Sequence, residues 1–528
     1  MPITNITIEN FKGIGDRVDI PIRPITLLFG ANSAGKSTIL QSLLYLRELL
    51  ERQNTDADKL IACGSSIDLG GFSQFVHGHD LKATVRIGVE ISVDADGLPT
   101  YDQSFSNPYE EQTVLSQGAL GNVETVGVEV SVEWDKDSDR PWITGYSVKI
   151  NGTKIGEISA FPGSSSKISF FDSSHSVFTG FDEQGELLYQ DSGLIEPVIC
   201  ELDRTGKDHK ENRDIPFGEG QTVIPEWGKA FPMKSYDDWA CSEESVAIAR
   251  HMLGQIFIGS GELVLNELQR IRHIGSFRDI PERSFNVRRS PADDRWANGA
   301  AAWDLLYNSD LKWFDADQFA SLGMGYEIDR QTYFELPSES ALAAFLIRAQ
   351  VEDEIYLSEL ESLPIRREVE GLVERTRLRL IDSCSKVEVA PCDVGVGVSQ
   401  VLPVVVGAMA PGYSVLSVEQ PELHIHPAVQ CALADVLAHQ VIRSENRCLL
   451  LETHSEHLML RWLRRIREQS EDELPPEAPP VSPDHLSVLY VQSVDGRQKI
   501  TPLPVTDDGE FAVKWPKGFF EERADELF

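Results

Sequence analysis

Apolar and polar positions along the chain fall into blocks of different periodicity. Residues 3–11 (ITNITIENF) alternate and predict an edge strand, with a second short strand at Val18–Ile22. Ile25–Phe29 is a continuous apolar run, the pattern of a strand buried on both faces. Ile39, Leu40, Leu43, Leu44, Leu46 and Leu50 then recur at helical spacing and predict a helix ending near Arg52. Residues 53–80 are turn-rich. From about 82 to 200 the texture is alternating or β-branched: TVRIGVEISV (84–93), VGVEVSVEW (126–134), ITGYSVKI (143–150) and KISFF (167–171). Gly, Asp and Asn separate these runs, as in an antiparallel meander. Residues 200–235 are polar and irregular and predict a loop.

Helical spacing returns over 236–271, whereas 272–289 (RHIGSFRDIPERSFNVRR) is too rich in arginine and proline to continue a helix. Residues 300–383 predict mostly helix, including EVEGLVERTRLRLI (368–381). No heptads persist, so no long coiled-coil arm is expected. Strand texture reappears at Lys386–Ala390, followed by a glycine-rich stretch, DVGVGVSQVLPVVVGAM (393–409). The remainder reads as strand SVLSVEQ (414–420), PELHIHP (421–427), helix 428–442, strand CLLLET (448–453) and helix 454–468. Residues 470–484 form a Glu/Pro-rich loop before strand-like LSVLYVQS (486–493) and KITPLPV. No internal repeat is present.

The strongest chemical signal follows the first buried strand. Gly30, Ala31, Asn32, Ser33, Ala34, Gly35, Lys36, Ser37 and Thr38 match the spacing G-x-x-x-x-G-K-[ST], between a strand and a helix as the motif requires. Such a loop curls backbone N–H groups around phosphates, and the helix N-terminus adds positive partial charge. Lys36 would neutralise β/γ oxygens and Ser37 would hold Mg²⁺. SVLSVEQ supplies a partner: an apolar strand ending in a carboxylate, Glu419, placed to hold Mg²⁺ directly or through water. CLLLETHS ends in His454, in reach of a γ-phosphate or an attacking water in such a core.

Composition narrows the class. The chain has 528 residues, enough for two or three domains, with 41% hydrophobic and 25% charged residues. No apolar run of membrane-spanning length and no signal peptide is recognised, so a cytoplasmic protein is expected. Seven scattered cysteines without a C-x-x-C pair predict free thiols. Forty-eight basic against 84 acidic residues give a net charge of −36, which argues against coating of DNA by the whole surface. A local basic groove or a basic protein partner remains compatible with that charge.

Three other clusters admit a chemical reading. Glu422 with His424 and His426 has metal-ligand composition, but packing histidines in a loop are favoured. His454 and His457 share a helical face without an H-E-x-x-H motif, so a metalloprotease is not expected. Arginines 270, 272, 278, 283, 288 and 289 suit either a phosphate grip or internal pairing with neighbours such as Asp279 and Glu282.

The order of phosphate loop, large insertion, glycine–serine signature, acidic strand end and histidine resembles the ABC-type ATPases of the SMC/RecF group. IENFKGIG resembles that group's opening strand and turn. VEQPELHIHP, LLETHSEHLMLR, RHIGSFRDIPER and GEFAVKWPKGFFEE resemble bacterial ATPases related to the OLD family, including anti-phage defence ATPases. The last of these resembles a small C-terminal domain of unknown function. The resemblance covers 1–80 and 385–528, and 270–290 locally.

It implies an α/β ABC-type P-loop ATPase head with an antiparallel β subdomain and a helical insertion. The implied parts are an N-terminal core part (1–80), a β-rich subdomain (81–235), a mostly helical insertion (236–384), a C-terminal core part (385–470) and a small domain (471–528). ATP and Mg²⁺ are the implied cofactors. Gln74 matches a Q-loop metal ligand, with Ser37 and Glu419. Gly395, Gly397, Ser399 and Gln400 match the signature, which in that group faces the γ-phosphate held by another subunit. Glu419 matches the Walker B acid and His454 the switch histidine. Gln420 stands where most such enzymes carry a catalytic glutamate, and a glutamine orients water without accepting its proton. Either Glu422 takes that role or hydrolysis is slow.

The resemblance thus implies a slowly hydrolysing ATPase switch that pairs with itself and controls a separate effector, a nuclease or toxin, in anti-phage defence. The roughly 70 residues after His454 leave no room for a Toprim nuclease domain, and no membrane association is expected. A RecF-like repair ATPase binding DNA ends, or a nucleotide-gated scaffold with little turnover, are the alternatives.

Overall fold

The computed structural model describes residues 3–31, 34–52, 69–94, 97–99, 123–162, 164–172, 174–181, 187–190, 215–216, 223–232, 250–283, 285, 287–288, 293–308, 311–351, 372, 374–444 and 446–514. Two sheets dominate. The central one has six strands in the order Ile271–Ile274, Val415–Glu419, Cys448–Glu452, Ile25–Phe29, Leu486–Val494 and Arg497–Pro502. The first five run parallel, and the last turns back as an antiparallel edge. The phosphate-loop strand therefore lies beside Cys448–Glu452, one strand removed from Val415–Glu419.

Ile25–Phe29, Val415–Glu419 and Cys448–Glu452 are mainly apolar because both faces are covered. Ile25, Leu27 and Phe29 point into one core, with the helices Val396–Met409, Pro427–Ile442 and Glu456–Ser470. Leu28, Leu450 and Leu489 point into the other, with the helix Ser37–Arg52. The parallel strands all end on one edge, so Phe29, Glu419 and Glu452 finish side by side.

The second sheet is antiparallel, with eight strands. Five of them, Val85–Ser92, Thr125–Asp135, Arg140–Ile150, Thr153–Ser159 and Lys167–Phe171, are neighbours in chain order, forming the expected meander. Ile3–Glu9 is not an edge strand. It pairs with Val18–Pro21 on one side and Val85–Ser92 on the other, so this sheet runs continuously across residue 80. The chain is thus an α/β fold: a mainly parallel sheet that carries the phosphate loop between helices, with an attached antiparallel sheet.

Two further expectations are corrected. Ile271–Ile274, at the start of the Arg/Pro-rich stretch, is a fifth parallel strand of the central sheet. Glu374–Asp382 is not helix but a strand paired antiparallel with Tyr326–Phe334. Its period of two is carried by buried Leu378 and Leu380. Arg377 and Arg379, which alternate with them, are held by Glu388 and Asp329, so charge masks the alternation. The region expected to be helical over 236–271 is described from Arg250, and is helix to Gln269.

Cys384, Cys392, Cys431 and Cys448 are free thiols, and burial pushes the Cys448 thiol up to about 12. Among the described residues no helix is long and apolar enough to cross a membrane.

Candidate nucleotide site

The phosphate loop leaves the end of Ile25–Phe29 and enters the helix at Ser37. Asn32 and Ser33 lie outside the described residues. Gly35 has φ +90°, a left-handed conformation that a side chain resists. A Cβ there would also lie 1.5 Å from Nε2 of Gln498. Gln498 comes from the antiparallel edge strand; its backbone N–H donates to the Gly13 carbonyl at 2.8 Å, and its amide approaches Thr38 Oγ1 at 3.4 Å. Its Oε1 is buried with no hydrogen-bond partner. The C-terminal hairpin thus packs its amide directly against the loop.

The Lys36 side chain is only 2% exposed. Its ammonium donates to the Gly30 and Ala31 carbonyls, each at 3.1 Å, and lies 3.2 Å from His454 Nε2 and 3.6 Å from Glu452 Oε1. Burial lowers its pKa, while the Glu452 charge opposes that shift. Burial and then the Lys36 charge lower the pKa of His454, favouring the neutral ring that accepts from Lys36. The sequence-predicted pair is therefore in direct contact.

Ser37 Oγ donates to Glu452 Oε2 at 2.6 Å. No motif marks Glu452 in the sequence, although it ends CLLLE as Glu419 ends VLSVE, and the two are register partners on adjacent strands. Burial, then the charge of Glu452, raise the pKa of Glu419. His273 Nε2 lies 4.0 Å from Glu419 Oε1; burial and then Arg278 push its imidazole down to about 4, so it is neutral there. Ser37, Glu419 and Glu452 offer only oxygen, the donor set of a hard divalent cation. Among the described residues no three His, Cys, Asp or Glu side chains converge as a complete metal site. A cation held here would need phosphate and water oxygens as well, as is usual for Mg²⁺ with a nucleotide.

Gln74 is not brought to this group. It is exposed on the one-turn helix Phe72–Phe75, packed against Gly70, with no hydrogen bond to Ser37 or Glu419. Glu422 is placed beside the histidine as a brace. One oxygen accepts from Thr453 Oγ1 at 2.8 Å and the other from the His454 N–H at 2.7 Å, and burial raises its pKa. Gln420 is left-handed, φ +46°, with its N–H on the Glu452 carbonyl at 2.7 Å. His424 and His426 are exposed, and His426 Nδ1 caps the following helix by accepting from the Ala428 N–H. That cap, with both Glu422 oxygens engaged, supports the loop-packing alternative over a metal site.

The signature stretch forms the helix Val396–Met409 with Gly395 as N-cap. Gly395 and Val396 are exposed and Gly397 is half-buried. A Cβ on Gly397 would meet the His424 carbonyl at 2.9 Å, so glycine allows this close approach. Ser399 and Gln400 depart from the expected role. Ser399 is fully buried and Gln400 nearly so, because the helix is enclosed on every side from Val398 onward. The atoms open to an external anion are the backbone N–H groups at the helix start.

The arginine group is taken apart by the fold. Arg278 donates to the carbonyls of Gln400 (3.1 Å), Glu419 (2.5 Å) and Gln420 (3.2 Å), and burial pushes it down to about 10. Arg272 donates to the carbonyls of Gly407, Ala410 and Pro411 between the rings of Trp296 and Tyr413. Arg270 pairs with Glu267 and Arg283 with Asp393. The Arg288 N–H bonds Asp304, and Arg289 lies outside the described residues.

Residues 1–94 match the AAA ATPase domain family, and residues 481–528 match a family described as a protein of unknown function (DUF3696). No curated protein matches the chain. Solved structures similar to it include an SMC head bound to the C-terminal winged-helix domain of ScpA, at 10% identity and TM-score 0.40, covering 96% of this chain and 98% of that one. An SMC head domain from Thermotoga maritima is similar at 8% identity and TM-score 0.36, over 96% and 100%. An Smc head with an extended coiled coil, bound to the C-terminal domain of ScpA from Pyrococcus furiosus, is similar at 12% identity and TM-score 0.37, over 100% and 98%.

Proposed function

We propose that the chain binds ATP with Mg²⁺ at this site, hydrolyses it slowly, and acts as a nucleotide-dependent switch. The observation that carries this reading is the convergence of Lys36, Ser37, Glu419, Glu452 and His454 on one sheet edge, built from three separate stretches of sequence. Lys36 and Ser37 would take the β/γ-phosphates and the cation, and neutral His454 would face the terminal phosphate. Gln420, held left-handed after Glu419, supports slow turnover, since it provides no carboxylate for the attacking water.

The same reading extends to a partner. The open start of the signature helix suits the terminal phosphate of a nucleotide held by a second copy, giving an ATP-dependent pair of heads. Control of a separate nuclease or toxin in anti-phage defence completes the proposal. It is supported by the resemblance of VEQPELHIHP and LLETHSEHLMLR to defence ATPases. Burial of Arg272 and Arg278 counts against a DNA-end grip built on that arginine group.

Steady-state ATP hydrolysis by the purified chain tests the core of this reading. Slow, Mg²⁺-dependent turnover that disappears in Lys36→Ala is expected. No turnover, with nucleotide still bound, would favour a nucleotide-gated scaffold.

A further inference from the structure

We propose that Glu452 is a cation-binding residue of the nucleotide site, sharing with Ser37 and Glu419 the divalent ion that accompanies the nucleotide. This assignment rests on the nucleotide-binding role of the phosphate loop. It concerns a residue outside the loop, the acidic strand end and the histidine.

Three observations converge on it. First, the hydroxyl that serves the cation in such loops, Ser37 Oγ, is hydrogen-bonded at 2.6 Å to Glu452 and not to Glu419. Glu452 is therefore the carboxylate nearest the position a Ser37-bound ion would take. Second, Glu452 and Glu419 are direct partners across parallel strands. Like charges facing each other on neighbouring strands are unfavourable, and a divalent ion between them removes the penalty. Lys36 offsets part of it, but it stands 3.6 Å from Glu452 Oε1 and also bonds the Gly30 and Ala31 carbonyls. Third, position 420 is glutamine, so no second carboxylate follows Glu419 along its own strand. The adjacent strand supplies one at the same level.

A purely structural Glu452 would only hold the Ser37 hydroxyl, and glutamine would do that equally well through its carbonyl oxygen. Glu452→Gln therefore separates the two roles. The readout is the affinity of the full chain for a fluorescent ATP analogue, titrated in excess Mg²⁺ and in EDTA. In the wild type Mg²⁺ tightens binding. In Glu452→Gln that Mg²⁺-dependent gain is expected to shrink by about tenfold or more, the scale seen when support of a metal site is lost. Glu452→Asp, which keeps the charge on a shorter stem, is expected to recover part of it. Mn²⁺ electron paramagnetic resonance in the presence of ATP should show weaker Mn²⁺ binding in Glu452→Gln.

A full Mg²⁺-dependent gain in folded Glu452→Gln would overturn the assignment while leaving the nucleotide site intact. Absence of analogue binding to the wild type in both conditions would instead overturn the nucleotide site itself, and Glu452 with it.

Discussion

Arg278 and Gln400 exchange hydrogen bonds: the guanidinium donates to the Gln400 carbonyl at 3.1 Å, and the Gln400 amide donates to the Arg278 carbonyl at 2.8 Å. The other arm of the same guanidinium reaches the carbonyls of Glu419 and Gln420. One buried side chain thus ties the signature helix to the acidic strand end.

Replacing Arg278 with alanine should leave these carbonyls without their donor. Each buried unsatisfied group is worth about 1–3 kcal/mol, so urea unfolding should show a loss of about 3 kcal/mol or more. Arg278→Lys should recover little, because an ammonium lacks the planar fork that reaches two elements at once.

Lys36→Ala should weaken binding of a fluorescent ATP analogue by about 10- to 100-fold, the equivalent of one charge-assisted hydrogen bond. Far-ultraviolet circular dichroism should be unchanged, since Lys36 lies at the loop and not within the central sheet.

Gly35→Ala should fail for two separable reasons. The new methyl would strike the Gln498 amide, and φ +90° would be strained for any side chain. Gln498→Ala in the same chain should remove the clash and leave the conformational cost of about 1–2 kcal/mol. Thermal denaturation of the single and double variants measures the difference.

Asp435 joins two helices by bonding both Arg461 and Arg465. Burial pushes its carboxyl up, but the hydrogen bonds from Arg465 and Arg461 outweigh that and hold it below its ordinary value. A depressed carboxyl contributes stability above its unfolded pKa and loses it as pH falls through the folded one. Wild-type stability should therefore fall below about pH 4, with a smaller slope in Asp435→Asn. At pH 7 that variant should be less stable by about 3 kcal/mol, as for a broken buried pair. Urea titrations across pH check both.

The parts of the site that are contiguous in sequence were legible: the loop Gly30–Thr38, the acid Glu419 and the histidine His454 each end an apolar run. The parts that depend on register were not. Glu452 reaches Ser37 because its strand lies between those ending at Phe29 and Glu419, an order the sequence does not spell out. Gln498 comes from a segment far from the loop, and nothing local marks it; Arg278 stands out as one of a group of arginines, but its tie to the signature helix depends on the tertiary fold. Ser399 and Gln400 match the signature by residue type, but the helix is buried on every side from Val398 onward, which encloses both. The strand Glu374–Asp382 was hidden by arginines whose acidic partners sit on neighbouring strands.

Mass by light scattering of the purified chain, with and without ATP and Mg²⁺, alone and with the products of its neighbouring genes, tests the switch most directly. The account predicts that ATP raises the mass of the chain or changes a fixed-ratio assembly with a neighbour, and that Lys36→Ala abolishes the change. A mass indifferent to ATP in every mixture, from protein that binds ATP, would contradict it.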